Sequence, residues 1–356
     1  MKQINKLVLL ALASTAIITS CSSDDDNNGT PDVPKGTYDN GYFILNEGNS
    51  NPATASIAFV DQEGVLSQDI FRTENPDAPE TGSYLQSMFF SDTHAFIISG
   101  QANQVTVVDR YTFEYITTID SDLASPRYGA VANGKAYVTN SNGWEAGGAD
   151  DFVTVINLTD YSTSTFPMEN AEGVTEEDGF VYFSNGYYGS GHSITALNSN
   201  NNETEVIDLG EGNSPNSLEE EDGYLYVLTQ NFEDTSKIFK IDLSSNSISM
   251  QITLPEDLSA AKQLNVEDDV IYFTNNTSVF KVNTSGDEDS FDKVLEYTSN
   301  SEWGAMYGFA VEDDKIYIAD GGDFASNAPT YEYNLSGTQL TSYSAGIGPN
   351  SFYFND

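Results

Sequence analysis

The chain has a single cysteine among 356 residues, Cys21, so neither an internal disulfide nor a cysteine-based metal site can form. Histidine is nearly as scarce: His94 and His192 are the two present, and neither has a second histidine nearby to build a metal or catalytic cluster. Basic residues number 13 against 55 acidic ones, a formal net charge of −42. Nucleic acids and anionic lipid headgroups, which are held by Lys and Arg, are thereby excluded as partners. No Gly-x-Ser-x-Gly elbow and no phosphate-binding loop occurs. Long apolar runs are missing as well, since the stretch Leu7 to Ile18 is too short to cross a bilayer as a stable helix. Disorder is excluded by what is present instead, aromatic residues at 12%.

The apolar stretch follows Lys2 and Lys6 and reads as an export leader over residues 1–20. It ends in Ile18-Thr19-Ser20-Cys21, which resembles the lipobox of bacterial lipoproteins, whose cysteine sulfur is lipidated; an ordinary cleaved leader with an incidental cysteine is the alternative. Acyl chains anchor by burying CH2 groups at about 0.8 kcal/mol each, so the expectation is a protein on a membrane that does not cross it. Ser22-Ser23-Asp24-Asp25-Asp26 is similar to the acidic tag that sends some lipoproteins to the outer face of the outer membrane, although a solvated linker has the same composition. The tag and a polar tether fill residues 21–40. Residues 41–356 read as a single repeat domain.

That domain carries one pattern seven times, an aromatic flanked by apolar residues: Tyr42-Phe43-Ile44, Ala95-Phe96-Ile97, Ala136-Tyr137-Val138, Val181-Tyr182-Phe183, Leu225-Tyr226-Val227, Ile271-Tyr272-Phe273 and Ile316-Tyr317-Ile318. The central aromatics are 53, 41, 45, 44, 46 and 45 residues apart. A period near this length, made of strand-type segments, predicts an all-β, seven-bladed β-propeller with four antiparallel strands per blade. Asn133-Gly134, Asp178-Gly179 and Asp222-Gly223 mark hairpin turns ahead of the aromatic strand. Third strands end at Asp61, Asp109, Asn157, Asn198, Asp242, Asn283 and Asn334, which read as Asx turns rather than as a seven-fold metal site. Gly348-Pro349-Asn350-Ser351 repeats the start of a first strand, but the chain stops where the hairpin should follow. The C-terminus is therefore expected to supply the innermost strand of the N-terminal blade and so close the ring.

Repetition locates the places where the repeats differ. Counting back from the hairpin turns aligns Gln86, Arg127, Glu172, Asn216, Lys262, Tyr307 and Asn350 at the start of the first strands. All can hydrogen-bond. At the mouth of the central channel they would either hold a polar ligand or line a water-filled passage. Trp144, Tyr187, Tyr188, Phe232 and Phe324 lie in loops between second and third strands, and the loops entering first strands add Tyr84, Tyr128 and Trp303. These aromatics are ligand contacts or packing between neighbouring loops. Calcium has two weak candidate stretches, Asp150-Asp151 and Gly321-Gly322-Asp323, neither with the spacing of a known loop motif.

The apolar–Tyr–apolar second strand and the Val-Asp or Ile-Asn end of the third resemble the YVTN/YncE-type seven-bladed propellers over roughly residues 41–356. With the lipobox and acidic tag, the whole chain resembles surface lipoproteins that include BtuG-type cobalamin-capturing proteins. The resemblance implies a non-enzymatic binder at the outer membrane surface, with no required cofactor. It implies capture of a large scarce nutrient, cobalamin as the named candidate, and delivery to a TonB-dependent outer-membrane transporter. Gln86, Arg127, Tyr128, Trp144, Glu172, Tyr187, Tyr188, Asn216, Phe232, Lys262, Trp303, Tyr307 and Asn350 would form the site, with no catalytic or metal-binding member. A calcium-dependent propeller hydrolase or lactonase, and an adhesion module for polysaccharide or protein, are the competing expectations.

Overall fold

A computed structural model describes residues 35–143, 146–187, 189–231, 234–258, 260–287 and 290–355. The leader, Cys21, the acidic tag, Trp144, Tyr188 and Phe232 lie outside the described residues, as does the side chain of Tyr187.

Hairpin chemistry sets the strand boundaries. Asn133-Gly134, Asp178-Gly179 and Asp222-Gly223 have positive φ at both positions, and Asp268-Asp269 and Asp313-Asp314 adopt the same conformation without glycine. Such turns match the right-handed twist of the strands they join. Among the described residues, 28 strands form seven four-stranded sheets. Blade 5 shows the pattern, with antiparallel strands Ser214–Glu221, Tyr224–Gln230, Lys237–Asp242 and Ser247–Thr253 in that order. The protein is a seven-bladed propeller.

Blade 1 is completed from the far end of the chain. Pro349–Asn355 pairs antiparallel with Gly41–Asn46, placing Phe352 opposite Ile44 and Tyr353 opposite Phe43. The packed unit starts at Lys35, slightly ahead of the boundary expected from sequence. Tyr38 is the reason: it is 4% exposed, packs edge-on against Phe59 and Phe113, and takes the amide of Asn355 on its carbonyl.

The repeated aromatics are the joints between blades. Phe43 of blade 1 packs with Ala95 and Ile97 of blade 2, and Phe96 with Ala136 and Val138 of blade 3. Tyr137 packs with Val181 and Phe183, Tyr182 with Leu225 and Val227, and Tyr226 with Ile271 and Phe273. Tyr272 then meets Ile316 and Ile318, and Tyr317 meets Tyr42 and Ile44 back in blade 1. Side chains alternate across a strand, so the aromatic faces the next blade while its apolar neighbours face the previous one. One strand pattern thereby makes seven interlocking hydrophobic clusters. The long first spacing has its own cause, a short helix at Ile70–Glu74 that buries Ile70 and Phe71 between blades 1 and 2.

Six of the seven residues ending the third strands have the expected structural role. Oδ1 of Asp61, Asp109, Asn157, Asn198, Asp242 and Asn334 each accepts a backbone N–H from two to four residues ahead.

Candidate functional site at the channel mouth

The first strands reach the mouth through β-bulges. Pairing slips past Gln86, past Arg127 and Tyr128, past Glu172 and Gly173, past Asn216 and opposite Asn350. A bulge bends the strand and re-aims a side chain, which turns the polar residues toward the axis. Blade 6 differs from the expectation by one position. Its bulged residue is Gln263, with φ 45°, and Lys262 precedes it. In blade 7 there is no bulge, and Tyr307 sits just before the strand Gly308–Glu312.

Most of these side chains reach forward to the next blade. Nδ2 of Asn350 donates to the Leu85 carbonyl at 2.9 Å, and Nδ2 of Asn216 to the Ala261 carbonyl at 3.4 Å. Nε2 of Gln263 donates to the Tyr307 carbonyl at 3.1 Å. The Tyr307 hydroxyl donates to Glu47 of blade 1. Arg127 works in both directions. Its Nη1 donates to Oε1 of Gln86 at 2.6 Å, and its Nε and Nη2 grip the Glu172 carboxylate at 3.1 and 2.6 Å. Gln86 also donates to the Tyr128 hydroxyl at 3.3 Å.

Glu172 thus turns back toward blade 3, and Asn216 forward toward blade 6. Between them the mouth opens into a cavity of about 420 Å3, lined by Arg127, Glu172, Asn216, Gln230, Lys262 and Gln263. Gly186 and Gly189 complete its wall with Ser214 and Pro215. Gly186 is required there, since an added Cβ would collide with the Pro215 ring. Asn216 and Lys262 are exposed, and the Lys262 ammonium has no hydrogen bond or ion pair among the described residues. The cavity therefore presents one cation already satisfied by protein and one available to a ligand.

Burial shapes the remaining chemistry. It raises the Glu47 carboxyl above its usual range, against the pull of the Tyr307 hydrogen bond and the Arg127 charge. Burial and the Glu47 contact together raise the Tyr307 phenol. Tyr307, Tyr128 and Gln86 are consequently neutral hydrogen-bonding groups held in fixed positions. The opposite end of the channel is strongly acidic. Burial first, then neighbouring carboxylates, push Glu219 up to about 8 and raise Glu221. Burial also leads in raising Glu220 and Glu267.

The aromatics divide. Trp303 is 81% exposed on the rim, in position for a ligand or a partner. Phe324 is packing, wedged against Gly304 and Gly321 and set edge-on to the Tyr307 ring at 5.1 Å. Tyr128 is half-buried within a first strand rather than in a loop. His192 is exposed within the third strand of blade 4, Ser190–Asn198, and not in a loop; it lies 3.7 Å from Asp208. Of the two calcium stretches, Asp323 is occupied by its own turn, accepting from Ala325 and Ser326 at 2.8–2.9 Å. Asp151 has no hydrogen-bond partner for Oδ1, and burial with the nearby Asp150 charge pushes its carboxyl up to about 7. Glu47 and Gln263 are the site residues that sequence reasoning missed. The signal for Glu47 was its place directly after a second strand; for Gln263 it was adjacency to Lys262.

The fold recurs in solved structures of low sequence similarity. A functionally unknown protein from Desulfotomaculum acetoxidans superposes with a TM-score of 0.63 at 11% identity, covering 88% of this chain and 98% of that one. Kuenenia stuttgartiensis hydrazine synthase gives 0.60 at 14% identity, with 77% and 92% covered. A catalytically inactive virginiamycin B lyase from Staphylococcus aureus with quinupristin gives 0.57 at 12%, with 81% and 94% covered. At these identities the likeness is one of fold. No curated protein sequence matches the chain. A family model described as a domain of unknown function, DUF5074, matches residues 40–351, and the chain belongs to that family.

Proposed function

We propose that this DUF5074 protein is a ligand-capture protein that takes a large, polar, ring-bearing cofactor of the cobalamin class at the channel mouth. The observation that carries the reading is the pairing of Arg127 with the uncommitted Lys262 in one cavity of a chain with 13 basic residues against 55 acidic ones. Cations are concentrated where a ligand with carbonyl or phosphate oxygens would be held, and the surrounding acidic surface repels anions elsewhere. The cavity suits one polar arm of such a cofactor, with the ring lying across the rim against Trp303 and the amides of Asn216, Gln230 and Gln263 binding its side chains. A lipid on Cys21 would hold the protein at the outer membrane surface, and a TonB-dependent transporter would receive the ligand.

Calorimetric titration of the purified protein with cyanocobalamin tests the reading. Saturable one-to-one binding that weakens at least tenfold in Lys262→Ala is expected. No heat at tens of micromolar protein would remove cobalamin as the ligand. The exposed Trp303 supports a second reading, a polysaccharide-binding surface, for which a glycan array is the discriminating measurement. A calcium-dependent hydrolase has weaker support, because the one acidic residue of the bulge ring, Glu172, is engaged by Arg127.

A further inference from the structure

A second site lies beside the mouth, in the loop that leads into the third strand of blade 3. Asp151 is 3% exposed, and its Oδ1 is buried without a hydrogen-bond partner. A buried carboxylate ordinarily accepts several donors or faces a cation, since leaving it unpaired is among the costliest arrangements in a protein interior. The charges around it compound the problem: Asp150 and Glu172 are repulsive, and Arg127 is the attractive one. The Arg127 guanidinium donates to Glu172 and Gln86, and Oδ1 of Asp151 has no donor.

A second orphan oxygen is anchored at the same peptide. The backbone amides of Asp151 and Asn170 both donate to the Gly148 carbonyl, at 3.4 and 2.9 Å. Oδ1 of Asn170 is also buried without a partner. It lies against Gly148, whose φ is +86° and where an added Cβ would collide with that oxygen. Asn170 is itself left-handed, at φ 53°. Two left-handed backbone positions thus shape the loop around the Gly148 peptide to which both residues are tied, and neither side-chain oxygen has a donor. Asp150 adds a carboxylate at the exposed edge, steadied by Nδ2 of Asn142 at 2.9 Å. Among the described residues no three His, Cys, Asp or Glu side chains converge on one point, so the donor set is carboxylate, amide and water oxygen. Hard cations take that set, and calcium accepts it with irregular geometry.

We propose that Asp151 and Asn170 bind a calcium-sized cation, with Asp150 and water completing the coordination. The ion supplies the positive charge that both orphan oxygens lack and fixes the loop against the lead-in to blade 4. This site is independent of which ligand the channel mouth takes.

The test is thermal unfolding of the full chain in EDTA, then with millimolar CaCl2, MgCl2 or additional NaCl, accompanied by calcium titration calorimetry. Calcium is expected to raise the Tm by several degrees and to bind one-to-one, with magnesium and sodium much less effective. Asp151→Asn should fold, melt in EDTA at or above the wild-type temperature, and lose the calcium response. Asn170→Ala should bind calcium at least tenfold more weakly. An identical wild-type Tm in EDTA and calcium would overturn the proposal. So would a calcium shift retained in full by both variants, which would mark general screening of the acidic surface. An Asp151→Asn protein destabilised in EDTA would also overturn it, because the carboxylate would then be accepting a hydrogen bond, for instance from a reoriented Asn170 amide.

Discussion

Arg127 of blade 3 clamps Glu172 of blade 4 with two nitrogens, Nη2 lying 2.6 Å from Oε1 and Nε 3.1 Å from both carboxylate oxygens. The side chains are 26% and 17% exposed, so the pair is partly shielded from water and joins two blades at the edge of the cavity. It fixes one wall of the mouth while leaving Lys262 to whatever enters.

Replacing Arg127 by Ala strands a half-buried Glu172 and should cost about 1–3 kcal/mol. Lysine should restore little of this, since it retains the charge but not the planar fork. Urea denaturation of Arg127→Ala, Arg127→Lys, Glu172→Gln and the Arg127→Ala/Glu172→Gln double variant measures the coupling; near-additive effects would show that the clamp contributes little.

Lys262→Ala should separate binding from folding. The side chain is exposed and unpartnered among the described residues, so stability should change by less than about 0.5 kcal/mol. Calorimetry should show a large loss of ligand affinity at an unchanged Tm.

Two tyrosines of comparable burial should respond in opposite ways to loss of the hydroxyl. The Tyr137 hydroxyl is buried without a partner, so Tyr137→Phe should be neutral or stabilising by up to about 1 kcal/mol. The Tyr42 hydroxyl donates to Glu332 at 2.7 Å, and Tyr42→Phe should cost about 1–2 kcal/mol. Denaturant midpoints for the two variants decide the matter.

Stability should fall as the pH rises. Glu219, Glu220, Glu221 and Glu267 all hold protons more tightly when folded than in a free chain, Glu219 up to about 8. Below their ordinary carboxylate range both states are protonated. Above it the unfolded chain releases protons first, so unfolding is favoured progressively until the folded values are passed. Melting at low salt should therefore be higher at pH 5 than at pH 8, by on the order of 1–3 kcal/mol in stability. Glu219→Gln should flatten the profile.

Deleting residues 348–356 removes the innermost strand of blade 1, including Phe352, which packs against Tyr42 and Tyr317. The loss should exceed about 3 kcal/mol, and an unchanged melting point would contradict closure through this strand.

The blades were legible because each interface uses the same alternation, and a pattern repeated seven times marks its own boundaries. The hairpin turns and most third-strand ends followed for the same reason. The mouth was legible only as a set of positions. Local pairing decided which residue of each lead-in faces the axis, and a one-residue slip exchanged Lys262 for Gln263 in the bulge. Glu47 was not legible because its partner, Tyr307, comes from the opposite end of the chain. The packing role of Phe324 depended on two glycines, one of them in a different loop.

What the sequence determined by itself was the repeat: Tyr226 buries one face because Leu225 and Val227 bury the other, and period-two alternation is a property of any strand. What only the tertiary structure decided was which polar groups were already spent. Arg127 and Lys262 are alike as charges in the sequence, but folding brings Glu172 and Gln86 to one and leaves the other facing solvent. Asp151 and Asp323 are likewise equal as carboxylates until one is closed into its own turn and the other buried without a donor. Pairing is a relation between residues far apart in the chain, and it exists only once the blades have met.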